Sequence, residues 1–104
     1  MTVKRKPHHD LKAIQTRFDS VHDLEITTTA LRSARSLGFS LEEVVEVVRA
    51  LEHGDFVKSE TAHHPRNPRC WHDTYVTSFD GLDLYLKFAG ETLTDIVLTS
   101  FKEQ

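Results

Sequence analysis

The spacing of apolar and polar positions changes period once along this chain, near residue 55. Before that point apolar residues recur every three or four positions; after it they recur every second one. Leu11, Ile14 and Phe18 mark one face of a short helix that Asp10 is placed to cap and that Asp19-Ser20 should end. Residues 25–29 form a short β-favouring run or the lead into a second helix. That helix is predicted over 30–37, capped by Thr28 or a neighbour, with Leu31, Ala34 and Leu37 inward and Gly38 as terminator. Ser40-Leu41-Glu42-Glu43 then spells a capping box, with Phe39 and Val44 at the positions of a hydrophobic staple. The third helix should bury Leu41, Val44, Val45, Val48 and Leu51 and stop near His53-Gly54. Its valines disfavour helix intrinsically, so packing must hold it.

Beyond residue 55 the pattern reads as strands. In residues 56–61 strict alternation puts Phe56, Lys58 and Glu60 on one face and Val57, Ser59 and Thr61 on the other. Residues 62–69, with two prolines and two arginines, read as a loop. A strand rich in aromatic and β-branched residues follows over 70–77. Asp80-Gly81 signals a tight hairpin turn. Residues 82–88 alternate most cleanly: Leu82, Leu84, Leu86 and Phe88 against Asp83, Tyr85 and Lys87. Gly90 suggests a turn, and 93–102 a last strand whose Ile96-Val97-Leu98 reads as central in the sheet. Helices first and strands afterwards predict an α+β fold, with N-terminal helices packed on a mainly antiparallel, twisted sheet.

Composition narrows this picture. A chain of 104 residues implies a single domain, 1–104, with one modest core. The sequence has no run of eighteen apolar residues and no apolar stretch after its basic start, so neither a transmembrane helix nor a secretory signal is expected. One cysteine, Cys70, fits a reducing compartment, and a cytoplasmic protein is expected. The net charge of −3 runs against a general nucleic-acid binder, but the charge is uneven. Glu42, Glu43, Glu46 and Glu52 crowd the third helix, which excludes it as a DNA-recognition helix. Lys4, Arg5, Lys6 and Lys12 load the N-terminus, and Arg66 and Arg69 the central loop.

Candidate chemistry is sparse. His63, His64, Cys70 and His72 are zinc-ligand types, but Cys70-x-His72 is not a structural-zinc spacing, and no metal or cofactor is expected. Nucleophile-elbow and glycine-rich phosphate-loop motifs are missing from the sequence. What remains is Lys58, His72, Tyr85, Lys87 and Lys102, distributed over four predicted strands. Lysines, a phenol and an imidazole suit metal-free RNA cleavage. There a base takes the ribose 2′-proton, cations stabilise the charge on phosphorus, and an acid protonates the leaving 5′-oxygen.

Five short stretches carry a resemblance. Lys4-Arg5-Lys6-Pro7-His8, Asp55-Phe56-Val57-Lys58-Ser59, Trp71-His72-Asp73-Thr74-Tyr75, Leu84-Tyr85-Leu86-Lys87 and Ser100-Phe101-Lys102-Glu103 resemble, in order and spacing, motifs of the MqsR (motility quorum-sensing regulator) toxins. The resemblance implies a RelE-like fold and a type II toxin that cleaves single-stranded mRNA without the ribosome, around GCU-like sites. It implies catalytic roles for Lys58, Tyr85 and Lys102. His72 stands where the family pattern has glutamine, and histidine, unlike glutamine, transfers protons near neutral pH. Lys58 and Lys102 are expected to hold the phosphate, and Tyr85 and His72 to share proton transfer. Lys87 should bind a flanking phosphate, and Arg66, Arg69 and His64 neighbouring nucleotides. The implied partner is an MqsA-like antitoxin with a zinc-binding domain and a helix-turn-helix. The alternative is a non-catalytic antitoxin- or RNA-binding module that keeps the fold.

Overall fold

A computed structural model describes residues 2–63 and 66–104 of the chain, leaving aside the His63 side chain. Ten elements follow one another: β1 (Val3–Lys4), α1 (Leu11–Arg17), a 3₁₀ turn (Val21–Asp23), α2 (Thr28–Ser36), α3 (Leu41–Ala50), a second 3₁₀ turn (His53–Asp55), β2 (Phe56–His63), β3 (Arg66–Phe79), β4 (Leu82–Gly90) and β5 (Val97–Glu103). The strands form one sheet in the order β1-β2-β3-β4-β5, with every neighbouring pair antiparallel. The architecture is the α+β arrangement expected.

Local chemistry sets the helix ends. Asp10 accepts from the Ala13 N–H, and Thr27, the neighbour of Thr28, accepts from Ala30 to start α2. At its far end Gly38 takes a φ of +89°, the Gly38 N–H bonds to the Arg35 carbonyl, and the Phe39 N–H bonds to that of Ala34. This pair of bonds is a Schellman motif, whose left-handed residue favours glycine. In α3 the Ser40 hydroxyl accepts from the Glu43 N–H while the Glu43 carboxylate accepts from the Ser40 N–H. Those bonds hold the Glu43 carboxyl below its ordinary pKa.

One face of the sheet carries the helices. Leu84, Leu86 and Phe88 of β4 are buried there with Tyr75 and Phe101, against Ile14 and Phe18 of the α1 region, Ala30 and Ala34 of α2, and Val44, Val47 and Val48 of α3. The inward faces of two helices differ from expectation. Val47 is buried and Leu41 only half-buried, and α2 turns Ala30 and Ala34 inward while Leu31 and Leu37 are half-buried. Small residues at the α2 contact let the helix lie against β5. Rings of Phe18, Phe88, Tyr75 and Phe56 touch in sequence at centroid separations of 5.6–5.9 Å. Burial, with the nearby Asp73 charge, pushes the Tyr75 phenol well above its ordinary pKa, so it packs as a neutral ring.

Three departures in the strands have physical causes. Phe56 does not share a face with Lys58: the register slips between them, leaving Val57 as the exposed extra residue of a bulge while Phe56 stays on the core side. The segment expected as a loop extends the β2–β3 hairpin instead, since Ala62 pairs with Asn67 and His63 with Arg66. The register jumps from Thr61↔Trp71 to Ala62↔Asn67, so Pro68, which has no N–H to donate, falls in the irregularity. Finally, β5 is an edge strand that starts at Val97, and residues 91–95 are bends. It reads as central because the 25–27 segment covers its outer edge. The Thr27 N–H bonds to the Leu98 carbonyl and the Leu98 N–H to that of Glu25. Gly90, expected in a turn, ends β4, where a Cβ would stand 2.8 Å from the Ile96 Cα.

The basic N-terminus is a strap. Val3 and Lys4 pair with Glu60 and Ser59, and the chain then crosses the end of the sheet to Asp73. Asp73 is fully buried and accepts from the His8 N–H at 3.1 Å, the His9 N–H at 2.8 Å and the Ser59 hydroxyl. His9 is buried too, and its Nε2–H donates to the Gly90 carbonyl. The His8 ring stacks on Trp71 at 5.0 Å, the Lys4 ammonium lies 4.2 Å from the Trp71 ring centroid, and Lys4 Nζ donates to His8 Nδ1. Desolvation and the Lys4 charge lower the His8 pKa, consistent with a neutral ring that accepts.

Candidate active site

The face of the sheet turned away from the helices gathers the polar side chains of alternate strand positions. Pairing places them in three rows across the sheet, roughly 7 Å apart along the strands. The first row is Glu60 opposite His72. The second runs Lys58, Thr74, Lys87, Ser100, and the third Val76, Tyr85, Lys102. Lys58, His72, Tyr85 and Lys102 therefore share one open face. Lys87, expected only to touch a flanking phosphate, stands in the middle row between the others.

Two bulges help aim the middle row. The Val57 bulge lies immediately before Lys58 and turns it outward while its neighbour but one, Phe56, stays in the core. A second irregularity lies at Thr99, between the Lys87↔Ser100 and Phe88↔Leu98 pairs, where the Thr99 hydroxyl donates to the Lys87 carbonyl at 3.2 Å. Bulges recur beside functional sites because they re-aim a side chain without breaking the sheet.

The electrostatics converge on the same row. Glu60 Oε1 lies 3.5 Å from Lys58 Nζ and 3.9 Å from Lys87 Nζ. The ammonium groups of Lys102 and Lys87 lie 5.0 and 5.8 Å from the Tyr85 ring centroid. Thr74 is fully buried in this row, and its hydroxyl has no hydrogen-bond partner among the described residues. Burial and then the Lys87 charge lower the His72 pKa, with Glu60 and Asp73 opposing. A neutral imidazole at neutral pH is a proton acceptor.

Arg66 and Arg69 are exposed on the outer part of β3. Arg66 pairs with His63, three residues beyond Glu60, so it sits roughly 10 Å up the sheet from the first row. His64 lies outside the described residues. Of the zinc-type set, burial pushes the Cys70 thiol pKa up, and among the described residues no group of three His, Cys, Asp or Glu side chains is arranged to hold a metal ion. No helix among the described residues is long and apolar enough to cross a membrane.

Sequence reasoning gave Glu60 and Thr74 no role. The available signal was parity: Lys58-x-Glu60 puts a carboxylate beside the lysine on the same face. Several residues of the resembling motifs prove architectural instead. Ser59, Asp73, Tyr75 and His8 all serve the strap or the core.

A search of curated proteins returned no match. Residues 6–103, however, match the family described as "Motility quorum-sensing regulator, toxin of MqsA". That span takes in β2–β5, the helices and every residue of the three rows, and the chain belongs to the motility quorum-sensing regulator family of toxins from toxin–antitoxin systems.

Proposed function

We propose that the open face is the active site of a metal-free endoribonuclease that cleaves mRNA independently of the ribosome, at GCU-like sites. The supporting observation is the three-row arrangement, which puts two ammonium groups between an imidazole on one side and a phenol with a further ammonium on the other. Transesterification needs that order, because the attacking and leaving oxygens lie on opposite sides of phosphorus. Lys58 and Lys87 flank the phosphate, and Lys102 adds charge beside Tyr85. The neutral His72 imidazole takes the 2′-hydroxyl proton as the 2′-oxygen–phosphorus bond forms. The phosphorus–5′-oxygen bond breaks as the Tyr85 hydroxyl gives its proton to the leaving oxygen. The products are a 2′,3′-cyclic phosphate and a 5′-hydroxyl, with His72 protonated and Tyr85 ionised until solvent resets both.

In this reading the toxin acts in the cytoplasm and is held in check by an MqsA-like antitoxin with a zinc-binding domain and a helix-turn-helix. The test is induction of the chain alone beside a Lys58→Ala control. Growth arrest with transcript cleavage is expected from the native chain, and cleavage by the purified variant should fall by about 100-fold or more. Equal harmlessness of both, with RNA intact, overturns the reading and leaves a binding module.

A further inference from the structure

Glu60 carries the wrong charge for a surface that must receive a phosphate, yet it stands on that surface beside the middle row. Its side chain is only 16% exposed, so it is held in rather than turned to water. One oxygen, Oε1, faces both Lys58 Nζ and Lys87 Nζ, at 3.5 and 3.9 Å. The two lysines come from strands on either side of β3, so this shared oxygen is where their ammonium groups converge. Between them on β3 is Thr74, fully buried, whose hydroxyl has no partner among the described residues. A buried hydroxyl without a partner carries a desolvation cost that a ligand oxygen relieves. Two ammonium groups converge on one anionic oxygen, and an unused hydroxyl lies on the strand between them for a second oxygen of the same anion.

We infer that Lys58, Thr74 and Lys87 form a phosphate-oxygen site whose occupant in the free protein is the Glu60 carboxylate, which substrate must displace. A carboxylate oxygen ion-paired with two ammonium groups presents to them the charge that a non-bridging phosphate oxygen presents. Glu60 thereby keeps the long lysine side chains gathered on one point, and lowers the net charge that an incoming strand meets. Thr74, which bonds to neither Glu60 oxygen, donates to a further phosphate oxygen once the anion is seated. The identity of the natural anion as RNA rests on the ribonuclease reading; the site itself does not.

The probes are an oligoribonucleotide made uncleavable by 2′-deoxy substitution, and inorganic phosphate. Glu60→Gln, which keeps the shape and removes the charge, should bind the oligonucleotide about fivefold more tightly than the native chain. Its slope of log affinity against log salt should steepen by about one, because a lysine no longer neutralised internally releases a further counterion. Thr74→Val should bind about threefold more weakly. Unchanged or weaker binding by Glu60→Gln overturns the inference. So does lost cleavage with unchanged affinity, which would make Glu60 the proton acceptor instead. A version that needs no variant follows the Glu60 carboxylate carbon signal in labelled native protein during phosphate titration: it should move at saturation, and a static signal overturns the inference. If Glu60 responds and RNA is not cleaved, the anion site stands and the ribonuclease reading falls. If RNA is cleaved while Glu60 is indifferent, the reverse holds.

Discussion

Asp73 and Glu60 are carboxylates on adjacent strands of one sheet, and they are held in opposite ways. Asp73 faces the helices, is fully buried, and accepts from two backbone N–H groups and one hydroxyl. Those donors are fixed by the chain itself, so the bonds are made once, on folding. Glu60 faces outward, and its partners are two ammonium groups at the ends of long, rotatable side chains. Short fixed donors make a carboxylate part of the architecture, and long mobile ones make it exchangeable. The same alternation operates within one motif: in Lys58-Ser59 the first residue belongs to the open face and the second to the Asp73 knot.

The sharpest way to break the comparison is Asp73→Ala. It strands the His8 and His9 N–H groups and the Ser59 hydroxyl, and should lower unfolding free energy by about 4 kcal/mol. Urea denaturation checks it, and a loss below about 1 kcal/mol would mean that the strap is not anchored there. Ser59→Ala removes one donor and leaves two. A cost of about 2 kcal/mol is expected, with cleavage per folded molecule retained. Lys58→Ala, one residue earlier, should do the converse: little change in stability and loss of cleavage. If the two neighbours behaved alike, the division between knot and site would be wrong.

The smallest effect is in titration. His72 should titrate below the ordinary value of about 6.5, visible in the pH dependence of its ring proton signals. Lys87→Gln removes a positive charge that opposes protonation and should move the midpoint up. Glu60→Gln removes a negative charge that favours it and should move the midpoint down. Cleavage should rise with pH through the same midpoint and level off by neutrality, and Glu60→Gln should extend the plateau toward acid. A midpoint indifferent to both substitutions would separate His72 from the row beside it.

Much of the fold was legible because its signals are local. The capping box at Ser40-Glu43, the Gly38 stop and the Asp80-Gly81 turn each involve a few adjacent residues, and the turn has φ of 50° and 81° at its two central positions. Alternation in 82–88 also held, with Leu84, Leu86 and Phe88 buried. The failures are those of non-local pairing. Strict alternation has no term for the Val57 bulge, and composition at Pro68 gives no hint that Asn67 pairs with Ala62. Apolar residues at 96–98 do not reveal that the cover on β5 is the 25–27 segment rather than another long strand. The candidate site divides in the same way. Lys58, His72, Tyr85 and Lys102 were singled out by residue type and resemblance, whereas Thr74 and Glu60 acquire meaning only from the residues opposite them.

The N-terminal strap has a consequence in time. His8 and His9 are anchored to a carboxylate 65 and 64 positions further along the chain, and the Thr2 N–H to a hydroxyl 59 positions away. Such closures exact a large loss of chain entropy before any contact rewards them, and they slow folding. Residues 2–4 must therefore wait for β2 to arrive, and His8 and His9 for β3, before they have anything to grip. Since β3 also carries His72 and Thr74, the open face cannot assemble much earlier than the strap is fastened.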